Sequence, residues 1–172
     1  DGWYMAVGSG IRSRGGAVLL YRSPDLVRWE YLHPLFQGDG REWGRMWECP
    51  FFFPLGGRHV LVVHPIPLGR ALYMVGDYAE HRFVPAVRGT VDHGVGVFYA
   101  THFLRDDRGR TVMMAWLRES RPNAAQEAAG WSGVMSLARE CFLLPDGRLG
   151  TRPVPEIERL RCRAWSVRGK EI

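Results

Sequence analysis

Residues 47–64 read Trp47-Glu48-Cys49-Pro50-Phe51-Phe52-Phe53-Pro54-Leu55-Gly56-Gly57-Arg58-His59-Val60-Leu61-Val62-Val63-His64. Two apolar runs flank a Gly-Gly pair, and each run is about as long as a single strand. Paired glycines supply the positive φ angles that a tight hairpin turn needs, so the segment is expected to fold as strand, turn, strand. Helical periodicity is nearly absent along the chain, whereas short strand-like runs bounded by turn residues recur throughout.

Working outward, strands are expected at Trp3–Val7, Ala17–Arg22 and Arg28–His33, with Ser23-Pro24-Asp25-Leu26 as a turn. Beyond the central hairpin they are expected at Ala71–Gly76 and His81–Pro85. A third group follows at Gly96–Phe103, Arg110–Leu117 and Gly133–Cys141, with turns at Asp106–Gly109 and Pro145-Asp146-Gly147. Ser120–Gly130 reads as a polar, Ala-rich loop and Thr151–Arg161 as a Pro-punctuated exit segment. The strand at Trp3 recurs near Val60 and Val112, and the strand at Ala17 recurs at Ala71 and, more loosely, at Gly133. A period of about 55 residues with four strands per unit is the signature of a radial array of four-stranded blades. A plain β-sandwich also gives strands at short intervals, but without the restart on a unit of four. The fold class is therefore all-β, a β-propeller of which this chain holds somewhat under three blades. So few blades cannot close a ring, and an open array exposes long sheet edges. The chain is expected to be an interior portion of a larger fold.

Composition excludes several classes. The chain has 172 residues, 46% hydrophobic and 24% charged, which suits a packed core rather than disorder. Its longest apolar stretches, such as Val60–Val63, are far shorter than the roughly 18 residues a membrane helix needs. The net charge is +5, yet the basic residues, all Arg except Lys170, are scattered with no long run. Nucleic acid is thus not an expected partner. Cys49, Cys141 and Cys162 cannot all pair and show no zinc-site spacing. They are read as free thiols in a reducing, cytoplasmic compartment, with secretion as the alternative.

Glu48 is the outstanding candidate for chemistry. Carboxylates are rare inside such apolar runs, and desolvation disfavours the charged form of a carboxyl, which suits a general acid. A structural Glu paired with an Arg such as Arg45 is the competing reading. Asp92 in Val91-Asp92-His93-Gly94 stands at the entry to the first strand of the third unit. It is read either as a residue reaching the same central channel or as a turn Asp. Trp131, after the long loop, is read as a sugar-stacking aromatic or as a core residue. His93, His102 and Asp106-Asp107 are assigned no chemistry.

These residues together resemble glycoside hydrolase family 32, the invertases, levanases, inulinases and sucrose-6-phosphate hydrolases. Met46-Trp47-Glu48-Cys49-Pro50 resembles the family's signature, and Tyr21-Arg22-Ser23-Pro24-Asp25-Leu26 with Trp29 resembles the segment before it. Asp92-His93-Gly94 with Phe98-Tyr99-Ala100 follows in the family's order. So do Gly109-Arg110, Trp116, Gly130-Trp131-Ser132-Gly133, Leu137-Ala138-Arg139-Glu140 and Pro153-Val154-Pro155-Glu156. The resemblance covers nearly the whole chain.

It implies a five-bladed propeller of which residues 1–161 are a part, the N-terminal blades missing, with 162–172 starting a linker toward a C-terminal β-sandwich. It also implies retaining cleavage of β-fructofuranosidic bonds in sucrose, sucrose-6-phosphate or fructans, with no metal or organic cofactor. Glu48 would be the general acid/base, Cys49 a modulating neighbour, and Asp92, Trp131, Trp47 and Tyr99 contacts to the sugar. The family's nucleophile lies in an Asn-Asp-Pro-Asn motif that does not occur in this chain, and Asp1 is followed by Gly2, not by the Pro of the family's Arg-Asp-Pro motif. The 172-residue chain alone is therefore expected to be inactive. Phe51 stands where many relatives carry Asp, Ala138 where a Pro is common, and no acidic residue lies between Gly94 and Phe98. These departures leave two alternatives in view: a propeller that binds carbohydrate without cleaving it, and a related five-bladed arabinan- or xylan-acting glycosidase.

Overall fold

The computed structural model describes residues 2–94 and 96–163, and its strands gather into three antiparallel sheets. The first holds β1 (Trp3–Ile11), β2 (Gly15–Ser23) and β3 (Glu30–Gln37) in sequence order. The second holds β4 (Met46–Leu55), β5 (Arg58–Ile66), β6 (Leu72–Ala79) and β7 (Arg82–Thr90), again in order. The third is built on β8 (Phe98–Arg105), β9 (Thr111–Leu117), β11 (Arg139–Leu143) and β12 (Leu149–Pro153), with the two-residue β10 (Val134–Met135) added beside β9. Up-and-down sheets following one another along the chain are propeller blades, as the restart in the sequence predicts.

The turns follow the expected chemistry. Gly56 and Gly57 join β4 to β5 with φ of 56° and 78°, the two positive values of a type I′ hairpin. Gly109 (φ 76°) and Gly147 (φ 80°) close the turns after β8 and β11. Asp106 secures the first of these by accepting from the Arg108 and Arg110 amides with Oδ1. Arg110 then bridges Asp106 and Glu156, tying the 3-10 turn Pro155–Leu160 to this blade.

The middle sheet sits between the other two and is covered on both faces. Successive side chains of a strand point to opposite faces. Val60 and Val62 of β5, with Tyr73 and Val75 of β6, pack toward Phe98, Phe103, Met113, Ala115 and Cys141 of the third sheet. Leu61 and Val63, with Met74, pack toward Val18, Leu20 and Leu35 of the first. A strand buried on both faces has no polar side, which is why Val60–Val63 reads as an unbroken apolar run. Each such side chain contributes about 1.5–3 kcal/mol relative to exposure.

Three sequence expectations change. Ser120–Gly130 is not all loop, because Asn123–Ala129 forms helix α1, opened by Pro122 and stopped by Gly130 at φ 73°. The alanines that made it look featureless are the best helix formers. Gly133–Cys141 is not one strand but β10 and β11, separated by Ser136–Ala138, where the Ser136 hydroxyl accepts from the Ala115 amide. The edge strand expected at His81–Pro85 runs on to Thr90, with Pro85 tolerated at an irregularity in the β6–β7 pairing. Of the expected linker 162–172, all but Cys162 and Arg163 lies outside the described residues.

Candidate functional site

Glu48 and Tyr99 stand on the first strands of consecutive sheets, β4 and β8, and the site is built where these strands depart from regular pairing. Glu48 is opposite His64 and Phe51 opposite Val62, so β4 carries one residue more than its partner across this interval. Tyr99 is opposite Trp116 and His102 opposite Met114, so β8 carries the same extra residue. These are β-bulges, which bend a strand and re-aim its side chains. Both contain a non-glycine residue in the left-handed region, Cys49 at φ 46° and Ala100 at φ 49°. Holding such a residue there costs of order 1–2 kcal/mol. Strain of this kind persists where surrounding structure enforces it and clusters at functional sites.

The bulges bring the two side chains together: the Tyr99 hydroxyl donates to Glu48 Oε2. Glu48 is half-buried rather than enclosed, which corrects the expectation of a carboxyl sealed in apolar surroundings, and no Arg pairs with it among the described residues. Burial raises the Tyr99 phenol above its ordinary range, and the bond to Glu48 and the nearby carboxylate raise it further, so it remains a donor. Burial, then the Glu48 carboxylate, likewise pushes the Cys49 thiol up and keeps it protonated.

His64 forms the floor of the site. It is fully buried and packs edge-on against the Tyr99 ring, with centroids 4.8 Å apart. Its Nε2 lies 3.5 Å from the Thr101 amide, which donates to it. Burial lowers its pKa from 6.5 to about 4, so the imidazole is neutral at physiological pH. Arg118 completes the group, its guanidinium 5.6 Å from both the Tyr99 and the Trp116 ring centroids. Neither His64 nor Arg118 was singled out as a site residue from sequence. His64 looked like the end of a strand, and nothing local distinguishes Arg118 from the chain's other arginines.

A family model described as "Glycosyl hydrolases family 32 N-terminal domain" matches residues 1–153, most of the chain and all three sheets. The chain belongs to glycosyl hydrolase family 32. It is 36% identical to a raffinose invertase of Escherichia coli over 92% of this chain and 35% of that protein. It is 33% identical to a fructan 1-exohydrolase of Triticum aestivum over 99% of this chain and 32% of that protein. Among solved structures it resembles the GH32 beta-fructofuranosidase of Bombyx mori, with a TM-score of 0.80 at 33% identity over 95% of this chain and 37% of that one. The family 32 chain thus spans about a third of the length of the curated relatives it matches.

The other residues expected at the site fall in different places in this family 32 chain. Trp47 is corrected from a sugar contact to a core residue: it has no exposed surface and stacks on Phe36 and Trp43. Its Nε1 donates to the Trp43 carbonyl at 2.7 Å, and its ring lies against Gly16 and Gly38, where a Cβ would fall within 2.4 Å of it. Alternation puts it on the opposite face of β4 from Glu48. Asp92 accepts from the Gly94 amide with Oδ1 and pairs with Arg139 at 3.2 Å, and Glu48 is not among its partners. Arg139 in turn lies over Phe98, the neighbour of Tyr99, so Asp92 is braced against the base of β8. Trp131 is 53% exposed, and the Arg121 guanidinium covers its ring at 4.1 Å. Phe51 packs on Phe103 and Phe53, so the segment after Glu48-Cys49-Pro50 is apolar.

Proposed function

We propose that the natural protein carrying this chain cleaves β-fructofuranosidic bonds by a retaining mechanism, with Glu48 as general acid/base. The observation that carries this reading is the Glu48 carboxylate held on a bulged inner strand by the Tyr99 hydroxyl. In the first step the protonated Glu48 gives its proton to the departing glycosidic oxygen while a second carboxylate attacks the anomeric carbon. In the second step Glu48 takes a proton from the water that releases fructose. Tyr99 positions the carboxyl, and the neutral, buried His64 stops the Tyr99 ring from turning away. No Asn-Asp-Pro-Asn motif occurs in this chain to supply the attacking carboxylate, so the 172 residues alone are proposed to be inactive. Sucrose, its 6-phosphate and fructans are the proposed substrates, on the likeness to invertases and fructan exohydrolases. Asp92 and Trp131 are proposed as sugar contacts.

The test is Glu48→Gln in the intact protein, assayed for fructose release from sucrose and inulin. Removing the acid/base should lower turnover by about 10²–10⁴-fold. The loss should be smaller on a β-fructoside with a good leaving group, which needs no protonation to depart. An unchanged rate, or arabinose release from arabinan in place of fructose, would sink the reading.

A further inference from the structure

We propose that Arg118 is a specificity-determining residue, whose guanidinium binds hydroxyls of the sugar that departs when Glu48 protonates the glycosidic oxygen. This role rests on the fructosidase reading, because it concerns the far side of the same scissile bond.

Strand register places the arginine. Tyr99 on β8 stands opposite Trp116 on β9, so the two rings are cross-strand neighbours on one face of the third sheet. Arg118 follows Trp116 by two residues and returns to that face. Its amide donates to the Val97 carbonyl at 2.8 Å, which carries the pairing of the two strands one step past Phe98 and Leu117 and fixes the base of the side chain. The guanidinium carbon then lies 5.6 Å from each of the two ring centroids. The indole is held in its turn, since Gly133, at φ 67°, leaves no room for a Cβ against Trp116 Nε1.

The charge of Arg118 is uncommitted. The neighbouring acid, Glu119, gives both its oxygens to Arg121, Oε1 accepting from Nε at 3.1 Å and Oε2 from Nη2 at 2.8 Å. Among the described residues no carboxylate pairs with Arg118, whereas Arg139 and Arg152 of the same sheet each have one. Ring faces hold a guanidinium by its charge and leave its N–H donors to be used.

Depth decides which sugar those donors meet. The hydroxyl of the same Tyr99 ring donates to Glu48 Oε2, so the arginine stands one side chain away from the acid. Beneath that pair His64 and Thr101 are buried, whereas Arg118 is exposed. In a retaining reaction the fructosyl ring sits between two carboxyls about 5–5.5 Å apart, with its glycosidic oxygen against the acid. The bond beyond that oxygen leads outward, so the leaving sugar is the part of the substrate that reaches the exposed rim. A planar fork of N–H donors fits two adjacent oxygens at once. The class it takes is therefore a neutral leaving sugar with adjacent free hydroxyls, such as the glucose of sucrose.

The experiment compares sucrose with methyl β-fructofuranoside, whose leaving methanol offers no hydroxyl pair, in the intact protein and in Arg118→Gln. The ratio of kcat/KM for sucrose over the methyl fructoside should fall by about tenfold, the scale of hydrogen bonds to a charged group, with most of the change in KM for sucrose. Arg118→Lys keeps the charge and loses the fork, and should recover part of the ratio. An unchanged ratio overturns the proposal: losses shared equally by both substrates would make Arg118 a support for Tyr99 and Glu48, and no loss would leave it without a role. A parent protein that cleaves neither fructoside breaks the fructosidase reading instead, and Arg118 is then judged by binding. Calorimetry with sucrose on Glu48→Gln and on Glu48→Gln/Arg118→Gln needs no turnover. An affinity about tenfold weaker in the double variant supports the role, and equal affinity or no sucrose binding at all overturns it.

Discussion

Trp47-Glu48-Cys49-Pro50 on β4 and Phe98-Tyr99-Ala100-Thr101 on β8 are the same backbone device with different side chains. Each begins with a buried aromatic, carries its polar group next, turns through a left-handed residue, and regains regular pairing one residue late. A bulge leaves a backbone donor outside the ladder, and the two strands handle that position differently. In β4 it is Pro50, which has no N–H. In β8 it is Thr101, whose N–H goes to His64. The carboxylate strand thus needs nothing from its neighbour at this point, whereas the phenol strand borrows an acceptor from the middle sheet. The geometry that aims a side chain is common to both blades, and the chemistry is decided by the residue placed on it.

The comparison can be broken most forcefully at the aromatics that begin each bulge. Trp47→Ala, in the intact protein, should cost about 3–5 kcal/mol by denaturant melts, as large core truncations do. Phe98→Ala should fall in the same range. A loss at Trp47 confined to sugar affinity, with stability intact, would return it to the sugar site.

The borrowed acceptor predicts a pH effect. In the unfolded chain His64 takes up a proton near pH 6.5, but in the fold only near 4. Below pH 6.5 the unfolded state binds more protons, so stability should fall as pH drops from 6.5 to 4 and level off beneath. The contribution lost is about 3 kcal/mol. His64→Leu should flatten that part of the profile. At pH 7.5 it should also cost about 1–3 kcal/mol, because the Thr101 amide then has no acceptor. An unchanged slope in urea titrations across this range would remove His64 from the account.

Smaller effects sharpen the contrast. Tyr99→Phe keeps the ring against His64 and removes the hydroxyl from Glu48. It should lower kcat/KM on sucrose by about tenfold, the scale of one hydrogen bond to a charged group, while melting with the parent protein. Thr101→Val should raise stability by about 1 kcal/mol, because the buried Thr101 hydroxyl has no hydrogen-bond partner among the described residues while its backbone N–H is kept. A destabilising Thr101→Val would show that the hydroxyl has an occupant in the intact protein.

Much of this was legible in the chain itself. The Gly56-Gly57 turn, the apolar runs beside it and the sequence repeat at Trp3, Val60 and Val112 are local or periodic signals, and β1, β5 and β9 are each the third strand counted back from the end of their sheet. Glu48 stood out because a carboxylate among aromatics is improbable without a reason. Trp47 was misread although strand alternation already sets it opposite Glu48, a case where the period outweighed the company it keeps. The contact from Tyr99 to Glu48 joins residues 51 apart, through a bulge in each strand, and no local pattern announces either bulge. The helix at Asn123–Ala129 was legible in its alanines and its Gly130 stop, and was obscured by the polar residues around it.

The double covering of the middle sheet has a consequence for how the protein is made. Val60-Leu61-Val62-Val63 is shielded only when the blades on both sides are in place. Synthesis delivers the preceding blade first, so the strand emerges with one face covered and waits for β8 and β9 to cover the other. During that interval it is a short, uncharged, β-branched segment of the kind that stacks with copies of itself. Lesions far from Glu48 that delay the third blade, such as loss of the Asp106–Arg110 turn, should therefore appear as insoluble protein rather than as an altered site.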